Sequence, residues 1–357
     1  MNDLNTKITM AHGAGGMDSH VLMRDVFAEH FSNEVLNRME DGAVLDLKSP
    51  QIAVSTDTFV VTPLVFSGGD IGKLAVCGSV NDVLMMGATP KYLTCGFVLE
   101  TGLEIELLDQ ICGSMAKTAK EAGVIIVAGD TKVIEGSGGL FVNTTCIGMY
   151  PEQVRDSSTG PVTVTGPSAA NIEAGDVIIV SGNLGDHHAC ILSARMNIQN
   201  DIKSDCAILA EIPSKVREAG IGIKAMRDVT RGGLATVLNE LAASSGVSIE
   251  LGETAIPVDA SVRAFCGIMG LDPKYMGNEG KMVLVVSPEK AEETLEIVRS
   301  TGVGKDAAII GVAKDATSVG AAQGKSSGKL PPVYMRTKIG GKVRVDMLYG
   351  EGLPRIC

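Results

Sequence analysis

Tryptophan is absent from this sequence, and aromatic residues make up only 3% of its 357 residues. Because hydrophobic residues still reach 45%, the core has to be built from aliphatic side chains. No apolar stretch approaches the roughly 20 residues that cross a bilayer, and the N-terminus lacks the layout of a secretory signal. We therefore expect a cytoplasmic protein without a membrane segment.

Positive charge is also scarce in this chain. It has 31 Lys and Arg against 42 Asp and Glu, a formal net charge of −11, and no long basic run. Since such a surface repels nucleic acid and anionic membranes, we expect neither as a partner. The length suits two domains of ordinary size, and the 43 glycines indicate many tight turns.

The familiar phosphate-binding and metal-binding motifs are missing. The chain contains no G-x-x-x-x-G-K-[ST] loop and no G-x-G-x-x-G turn after a strand, which disfavours P-loop enzymes and dinucleotide folds. None of the eight cysteines forms a C-x-x-C pair, so zinc and iron–sulfur sites have no support. Seven cysteines lie in apolar segments and are predicted to be buried, whereas Cys357 is the last residue.

The apolar pattern predicts two successive α/β regions. Residues 52–55 and 124–128 are predicted strands, and between them a helix with apolar residues from Ile105 to Ala119 ends before Gly123. The polar stretch 151–175 is the predicted connection between domains.

The second region starts with a predicted strand at 177–180. Asp186 is predicted to cap the helix that follows it. A hairpin is predicted over 333–349, with its turn at residues 339–341, and the Gly/Ser-rich stretch 320–329 is predicted to be a loop.

Glycine and acidic residues supply the candidate site. The segment His12-Gly13-Ala14-Gly15-Gly16 can point successive N–H groups at an anion, although a plain flexible turn has the same composition. Several aspartates lie at predicted strand ends, and functional side chains are often found in the loops there. The four aspartates in such similar contexts are Asp57, Asp82, Asp130 and Asp228. Carboxylate oxygens are the ligands that Mg²⁺ prefers, but each aspartate taken singly is more often a cap or turn residue.

Six segments of the chain carry a family resemblance: HGAGG, STDTFVVTPLVFSGGDIGKLAVCGSVNDVLMMGATP, AGDTKV, RDVTRGGLA, GNEGK and LPRIC. In this order, and along almost the whole chain, they resemble the HypE hydrogenase-maturation family. The pattern from Asn81 to Pro90 is typical of the wider superfamily, which includes aminoimidazole ribonucleotide synthetase, selenophosphate synthetase and thiamine monophosphate kinase. Two departures, Val229 for the usual proline and His188 for the usual glycine, remove no charge and no nucleophile.

The resemblance implies a two-domain, aminoimidazole ribonucleotide synthetase-like fold of class α/β (α+β). Residues 1–160 are expected to form an ATP-binding and dimerisation domain whose sheet pairs with that of a second subunit in a homodimer. Residues 170–348 are expected to form an α+β domain, and residues 349–357 a flexible carrier tail that ends in Cys357. At roughly 3.3 Å per residue the tail reaches about 30 Å.

The resemblance also implies a reaction. A HypF-type carbamoyltransferase places a carbamoyl group on Cys357, and ATP then drives dehydration of the S-carboxamide to a thiocyanate. The cyanide passes to iron held by the HypC–HypD complex, for a [NiFe]-hydrogenase. The alternatives are another ATP-dependent synthetase or small-molecule kinase of the superfamily, and a non-enzymatic binding subunit. A selenophosphate synthetase is disfavoured because no cysteine precedes Cys77.

In that reaction the candidate residues take specific roles. Mg²⁺ is bound by the four aspartates already named and neutralises the phosphates. The expected ATP and phosphate contacts are His12, Gly13, Gly15, Gly16, Asp57, Asp82, Asp130, Thr131 and Asp228. Lys132 stabilises negative charge on the carboxamide oxygen, and Glu279 is the candidate base for the nitrogen protons. The alternative for Glu279 is a solvated loop carboxylate.

Overall fold

A computed structural model describes residues 7–14, 16–38, 42–47, 51–150, 166–316 and 333–347. The chain divides into two compact units. Unit 1 comprises Met1–Leu84 and Ala88–Val164, and unit 2 comprises Met85–Gly87 and Thr165–Ile356. Outside the described residues lie Gly15, positions 151–165 of the expected connection, the loop at 320–329 and the expected tail at 349–357 with Cys357.

Unit 1 begins with helical segments and continues with alternating strands and helices. The first segments are a 3-10 turn Met10–Gly13, α1 Met17–Leu22, a π-helical stretch Met23–Phe27, α2 Ala28–Phe31 and a 3-10 turn Leu36–Arg38. The following elements are β1 Ile52–Phe59, β2 Val65–Phe66, β3 Gly69–Asp70, α3 Ile71–Met85, β4 Thr89–Glu100, α4 Ile105–Ala122, β5 Ile125–Ile134 and β6 Leu140–Met149.

The main sheet of unit 1 has the strand order β1-β6-β4-β5 among the described residues. Strands β4 and β5 are parallel and are connected by α4, while β6 is antiparallel to both β1 and β4. Helix α4 confirms its prediction: Leu108, Ile111 and Met115 are fully buried, and Gly123 ends the helix in the left-handed region with φ 69°.

Both predicted strands of unit 1 are confirmed, but they are longer than expected. Strand β1 continues through Asp57 to Phe59, and β5 continues through Asp130 to Ile134. The expectation that these aspartates follow strand ends is therefore wrong. The ladder continues because β1 and β5 are the outer strands of the described sheet, where polar side chains meet solvent instead of a core, and because threonine favours extended backbone.

Unit 2 contains the second set of helices and strands. In chain order these are β7 Val177–Val180, α5 Asp186–Arg195, α6 Glu211–Glu218, β8 Ala225–Asp228, α7 Gly233–Ser245, β9 Ser248–Gly252, α8 Ala260–Met269, β10 Met282–Val286, α9 Ala291–Arg299, β11 Ala308–Lys314, β12 Val333–Arg336 and β13 Lys342–Arg344. Short 3-10 turns occur at Ala169–Asn171, Glu253–Ala255, Pro273–Tyr275 and Pro288–Lys290.

The sheet of unit 2 has the order β13-β12-β9-β11-β7-β10-β8 among the described residues. Neighbouring strands are antiparallel except β12 and β9, so the unit is α+β, as expected. The predicted strand at 177–180 and the predicted hairpin are confirmed, the hairpin as β12 and β13. The capping prediction is wrong: Gly185 is the N-cap of α5, and Asp186 is its first residue.

Aliphatic side chains form the core of unit 2, as the lack of aromatic residues requires. Leu238, Leu241 and Ile249 pack with Val283 and Val285 of β10, and all five are buried. In the part of the chain that the structure describes, no helix is long and apolar enough to cross a membrane.

Candidate functional site

The N-terminal glycine segment lies against β5. Thr9 donates its backbone N–H to His12 Nδ1 at 3.0 Å, so a neutral His12 ring carries its proton on Nε2. A Cβ added to Gly13 would stand 2.8 Å from Cβ of Val133, which explains why glycine is needed there. Gly16 is the N-cap of α1. The structure thus brings the start of the predicted phosphate loop beside the strand that carries Asp130 and Lys132.

Asp57 and Asp82 converge although they lie on different elements of unit 1. The Ser55 hydroxyl donates to Asp82 Oδ2 at 2.6 Å. Asp57, two residues along β1 and on the same face as Ser55, has its Oδ2 3.7 Å from the position of a Cβ on Gly78. Because Gly78 and Asp82 are one helical turn apart on α3, the two carboxylates lie where α3 meets β1.

The tripeptide from Asp130 to Lys132 forms its own hydrogen-bonded group on β5. Lys132 Nζ lies 2.6 and 2.8 Å from the two Asp130 oxygens, and Thr131 donates its N–H to Asp130 Oδ1 at 2.8 Å. The hydrogen bond from Lys132 lowers the pKa of Asp130 below its usual value. Both side chains are largely exposed, at 71% for Asp130 and 67% for Lys132. An exposed pair of this kind contributes only about 0–1 kcal/mol, so either group can exchange its partner for a ligand.

In unit 2, Asp228 and Glu279 lie at adjoining strand ends. Asp228 is the last residue of β8 and pairs with Met282, the first residue of β10. Val229, the next residue, donates its N–H to the Lys281 carbonyl at 2.9 Å. The buried Asn278 side chain donates to the Val229 carbonyl at 3.0 Å. The loop that carries Glu279 is therefore bound to the strand that carries Asp228.

Glu279 is buried in that loop, with only 5% of its surface exposed. The alternative of a solvated loop carboxylate is therefore wrong. The loop cannot turn outward because Asn278 also accepts the Gly185 N–H at 2.7 Å and so holds the start of α5. A buried, fixed carboxylate is the arrangement that general-base chemistry needs.

Three charged or polar groups around Glu279 were not predicted. Asp205 accepts the Glu279 N–H on Oδ1 at 3.1 Å and forms an ion pair with Lys281 at 3.3 Å. His188, whose Nδ1 accepts the Gly277 N–H at 3.4 Å, is buried, and burial lowers its pKa to about 4, so the ring is neutral at pH 7. Lys281 lies in the same short motif as Glu279, so the motif could have been used to predict a role for it. Asp205 has no such signal, because it lies 74 residues away in sequence.

The described carboxylates are too few in any one place to bind a magnesium ion alone, but they are enough for an ion that is bound mainly by phosphate oxygens. No group of three or more His, Cys, Asp or Glu side chains within the described ranges has the geometry of a metal site. Mg²⁺ that accompanies a nucleotide needs only one or two protein carboxylates, the remainder of its shell being phosphate oxygen and water. Asp57 and Asp82 together supply that number of carboxylates.

Seven of the cysteines are described, and all seven are buried, as predicted. Burial raises the pKa of Cys146 to about 12 and that of Cys266 to about 11, and it raises those of Cys95 and Cys112 as well. A thiol needs its thiolate form to react, so these four are inert at neutral pH.

Both units match known protein families. Residues 39–150 match the family model for the AIR synthase related protein N-terminal domain, and residues 173–322 match that for its C-terminal domain. Carbamoyl dehydratase HypE of Escherichia coli K12 is 42% identical over 359 aligned residues, which cover 98% of this chain and 99% of the relative.

Solved structures agree with this similarity. A crystal structure of hydrogenase maturation protein HypE in complex with ATP is 43% identical, with a TM-score of 0.88, and covers 98% of this chain and 99% of its own. A chain of a solved HypE–HypF complex is 43% identical, with a TM-score of 0.74, and the match covers 92% of this chain and 99% of that one. The chain therefore belongs to the HypE family of carbamoyl dehydratases.

Proposed function

We propose that this chain uses ATP to dehydrate an S-carboxamide on Cys357 to a thiocyanate, as a step of hydrogenase maturation. The observation that carries the proposal is the full-length similarity to HypE in complex with ATP, at 43% identity. The buried Glu279 beside Asp228 supports it, because a dehydration that forms a nitrile needs a base shielded from water.

The chemistry balances without a further reactant. The carboxamide oxygen attacks the γ-phosphorus of ATP, and ADP leaves. The C–O bond then breaks, and the oxygen departs as part of phosphate instead of as hydroxide. The two protons on nitrogen are removed, which leaves sulfur bound to a C≡N group. The tail loses the elements of one water, and ATP becomes ADP and phosphate.

Unit 1 is proposed to bind the nucleotide. Mg²⁺ would neutralise phosphate charge, and Asp57, Asp82 and Asp130 would hold it. His12 would donate from Nε2 to a phosphate oxygen, since its Nδ1 is already an acceptor for Thr9. The remaining phosphate contacts are proposed to be Thr131 and the backbone N–H groups of Gly13, Gly15 and Gly16.

Lys132 is proposed to act on the carboxamide oxygen. Its ammonium group is held on the surface of β5 by Asp130, and both side chains are mostly exposed. If Asp130 bound Mg²⁺, the ammonium group of Lys132 would be free to stabilise the negative charge that develops on the oxygen under attack. The weakness of the exposed pair is what allows this exchange.

Unit 2 is proposed to supply the base. Glu279 accepts the protons that leave nitrogen, and its burial excludes competing water. Asp228 is also proposed to bind magnesium. Cys357 is proposed as the carrier because the seven described cysteines are all buried, and a carrier thiol has to reach both a donor and a base.

The partners of the reaction are proposed from the family. A HypE–HypF complex is known at 43% identity, so a HypF-type carbamoyltransferase is the proposed donor of the carbamoyl group. The HypC–HypD complex is the proposed cyanide acceptor, and the domain of residues 1–160 is proposed to form the homodimer. We propose a cytoplasmic location for this chain, as its sequence indicates.

Intact-mass measurement of the carbamoylated chain tests the reaction. Incubation with ATP and Mg²⁺ should remove one water from the modified chain, and Cys357→Ser should neither accept the carbamoyl group nor change mass. ATP hydrolysis that leaves the tail mass unchanged, and that proceeds equally in Cys357→Ser, would instead indicate a superfamily kinase or synthetase.

A further inference from the structure

Glu279 is attached through its backbone to a buried ion pair. The Glu279 N–H donates to Asp205 Oδ1 at 3.1 Å, while Asp205 Oδ2 lies 3.3 Å from Lys281 Nζ. Only 2% of the Asp205 side chain and 12% of the Lys281 side chain are exposed. The Asp205 carboxylate thus links the backbone of Glu279, just before Gly280, to the side chain of Lys281, just after it.

The two backbone segments also touch directly. Ala207 donates its N–H to the Glu279 carbonyl at 3.4 Å. A Cβ added to Gly280 would stand 1.9 Å from the Asp205 carbonyl oxygen, so no larger residue fits between the segments. The main chain of Glu279 is therefore held on both its N–H and its carbonyl by residues 205–207.

Lys281 has a second role in the same contact. Its aliphatic stem passes under Gly182, where an added Cβ would stand 3.1 Å from Lys281 Cε. Its ammonium group is thereby directed at Asp205. Asp205 also faces Asp186 at the start of α5, and Lys281 offsets the repulsion between these two carboxylates. Without Lys281, the carboxylate of Asp205 would be a buried charge without a counter-ion and would favour solvent over the Glu279 N–H.

We propose that Asp205, neutralised by Lys281, is a positioning residue that holds the backbone of Glu279 so that its carboxylate stays in reach of the nitrogen protons. This inference rests on the proposed function, in which Glu279 is the base. Neither Asp205 nor Lys281 touches the substrate in this scheme. Misplacement of a catalytic group by about 1 Å costs about a hundredfold in rate, so the contact is sufficient to control the reaction.

A double-mutant cycle tests the proposal with the carbamoylated full-length chain. The rate of water loss is followed by intact mass in single turnover at saturating ATP and Mg²⁺, for wild type, Asp205→Ala, Glu279→Gln and the combined variant. Asp205→Ala should lower this rate about tenfold to a hundredfold, and a separate titration of ATP should show an unchanged half-saturating concentration. In the Glu279→Gln background, Asp205→Ala should cause no further loss, because the group that it positions no longer accepts a proton.

A charge-neutral variant guards against misfolding of Asp205→Ala. The double change Asp205→Asn with Lys281→Met keeps an acceptor oxygen for the Glu279 N–H and keeps the apolar stem under Gly182. It removes both buried charges together, which is tolerated far better than removal of one. We expect this variant to retain the wild-type rate within about threefold and to rescue Lys281→Met.

The outcomes separate the inference from the function on which it rests. If Glu279→Gln slows water loss but Asp205→Ala does not, or if their losses multiply, the positioning role is wrong and the base assignment stands. If the charge-neutral double variant folds but loses water as slowly as Asp205→Ala, the positioning role is also wrong. If Glu279→Gln reacts at the wild-type rate, both assignments fail. If the wild type loses no water, the proposed function itself fails.

Discussion

Each unit contains an aspartate–lysine pair, and the two pairs differ in how they meet solvent. In unit 1, Asp130 and Lys132 sit on β5, 71% and 67% exposed. In unit 2, Asp205 and Lys281 are 2% and 12% exposed. The exposed pair is weak and exchangeable, which suits groups that must turn to a ligand. The buried pair cannot be separated cheaply, which suits a fixed support for the loop that carries Glu279.

Removal of one partner of the buried pair should have the largest effect. Lys281→Met leaves Asp205 charged and buried without its counter-ion, so we expect the free energy of unfolding to fall by about 3–5 kcal/mol. Chemical denaturation at pH 7 measures it. The neutral double variant Asp205→Asn with Lys281→Met is the control, and it should recover most of the loss. A loss below about 1 kcal/mol for Lys281→Met would show that this pair behaves like a surface pair.

The corresponding substitution in the exposed pair of Asp130 and Lys132 should lower the rate of the reaction but not the stability of the chain. Lys132→Met removes the ammonium group proposed to act on the carboxamide oxygen, so water loss from the carbamoylated chain should slow about 10²–10³-fold. The free energy of unfolding should stay within about 1 kcal/mol of wild type. Lys132→Arg is the matched control, since it keeps the charge. Equal rates for Lys132→Met and wild type would remove Lys132 from the mechanism.

The next largest effect is expected in the pH dependence of the free energy of unfolding, which should differ between Asp186 in unit 2 and Asp130 in unit 1. Burial, and secondly Asp205, raises the pKa of Asp186 to about 7. The unfolded chain loses this proton near pH 4, so the folded state is penalised increasingly between about pH 4 and 7 and by a constant amount above. Asp186→Asn removes the penalty and should stabilise the chain about 1–2 kcal/mol more at pH 8 than at pH 5, measured by denaturation.

Asp130→Asn is the control for that pH series. Lys132 lowers the pKa of Asp130, so its stabilising contribution is present above pH 4 and is lost only as the pH falls further. Asp130→Asn should therefore change the free energy of unfolding by the same amount at pH 5 and at pH 8. A gain for Asp186→Asn that does not change with pH would mean that Asp186 is ionised in the folded state at both values.

The smallest effect is expected for the exposed pair in the absence of nucleotide and Mg²⁺. Asp130→Asn should lower the free energy of unfolding by less than about 1 kcal/mol, and the difference should shrink as salt screens the charges. Denaturation at low and high ionic strength measures this. A salt-independent loss of several kcal/mol would contradict the contrast between the two pairs.

Much of the fold could be predicted from local pattern. Helix α4 follows its apolar spacing and ends at Gly123 as expected, because each of these signals acts within a few residues. The strand ends were less predictable. Asp57 and Asp130 look like loop residues in sequence, yet both lie within strands, because hydrogen bonding to neighbouring strands continues past the apolar run.

The candidate site also has features that short motifs could predict and features that depend on contacts between distant segments. Asp228 and Glu279 belong to short motifs, so both could be selected as candidates from the chain, but the burial of Glu279 could not be predicted. Asp186 was expected as a helix cap, whereas Gly185 has that place and Asp186 is a titratable group beside Asp205. Asp205 itself had no motif, because its role arises from a contact across 74 residues of sequence.

The sequence by itself determined the family, the α/β and α+β character of the two units, and the residue types that are proposed to bind phosphate, bind metal and accept protons. These depend on residue identity, local spacing and composition, which are properties of the chain in any conformation. Only the tertiary structure decided which of two similar aspartate–lysine pairs is exposed and which is buried. The physical reason is solvation: the energy of a charge pair depends on how much water surrounds it, and the amount of water depends on the packing of segments distant in sequence.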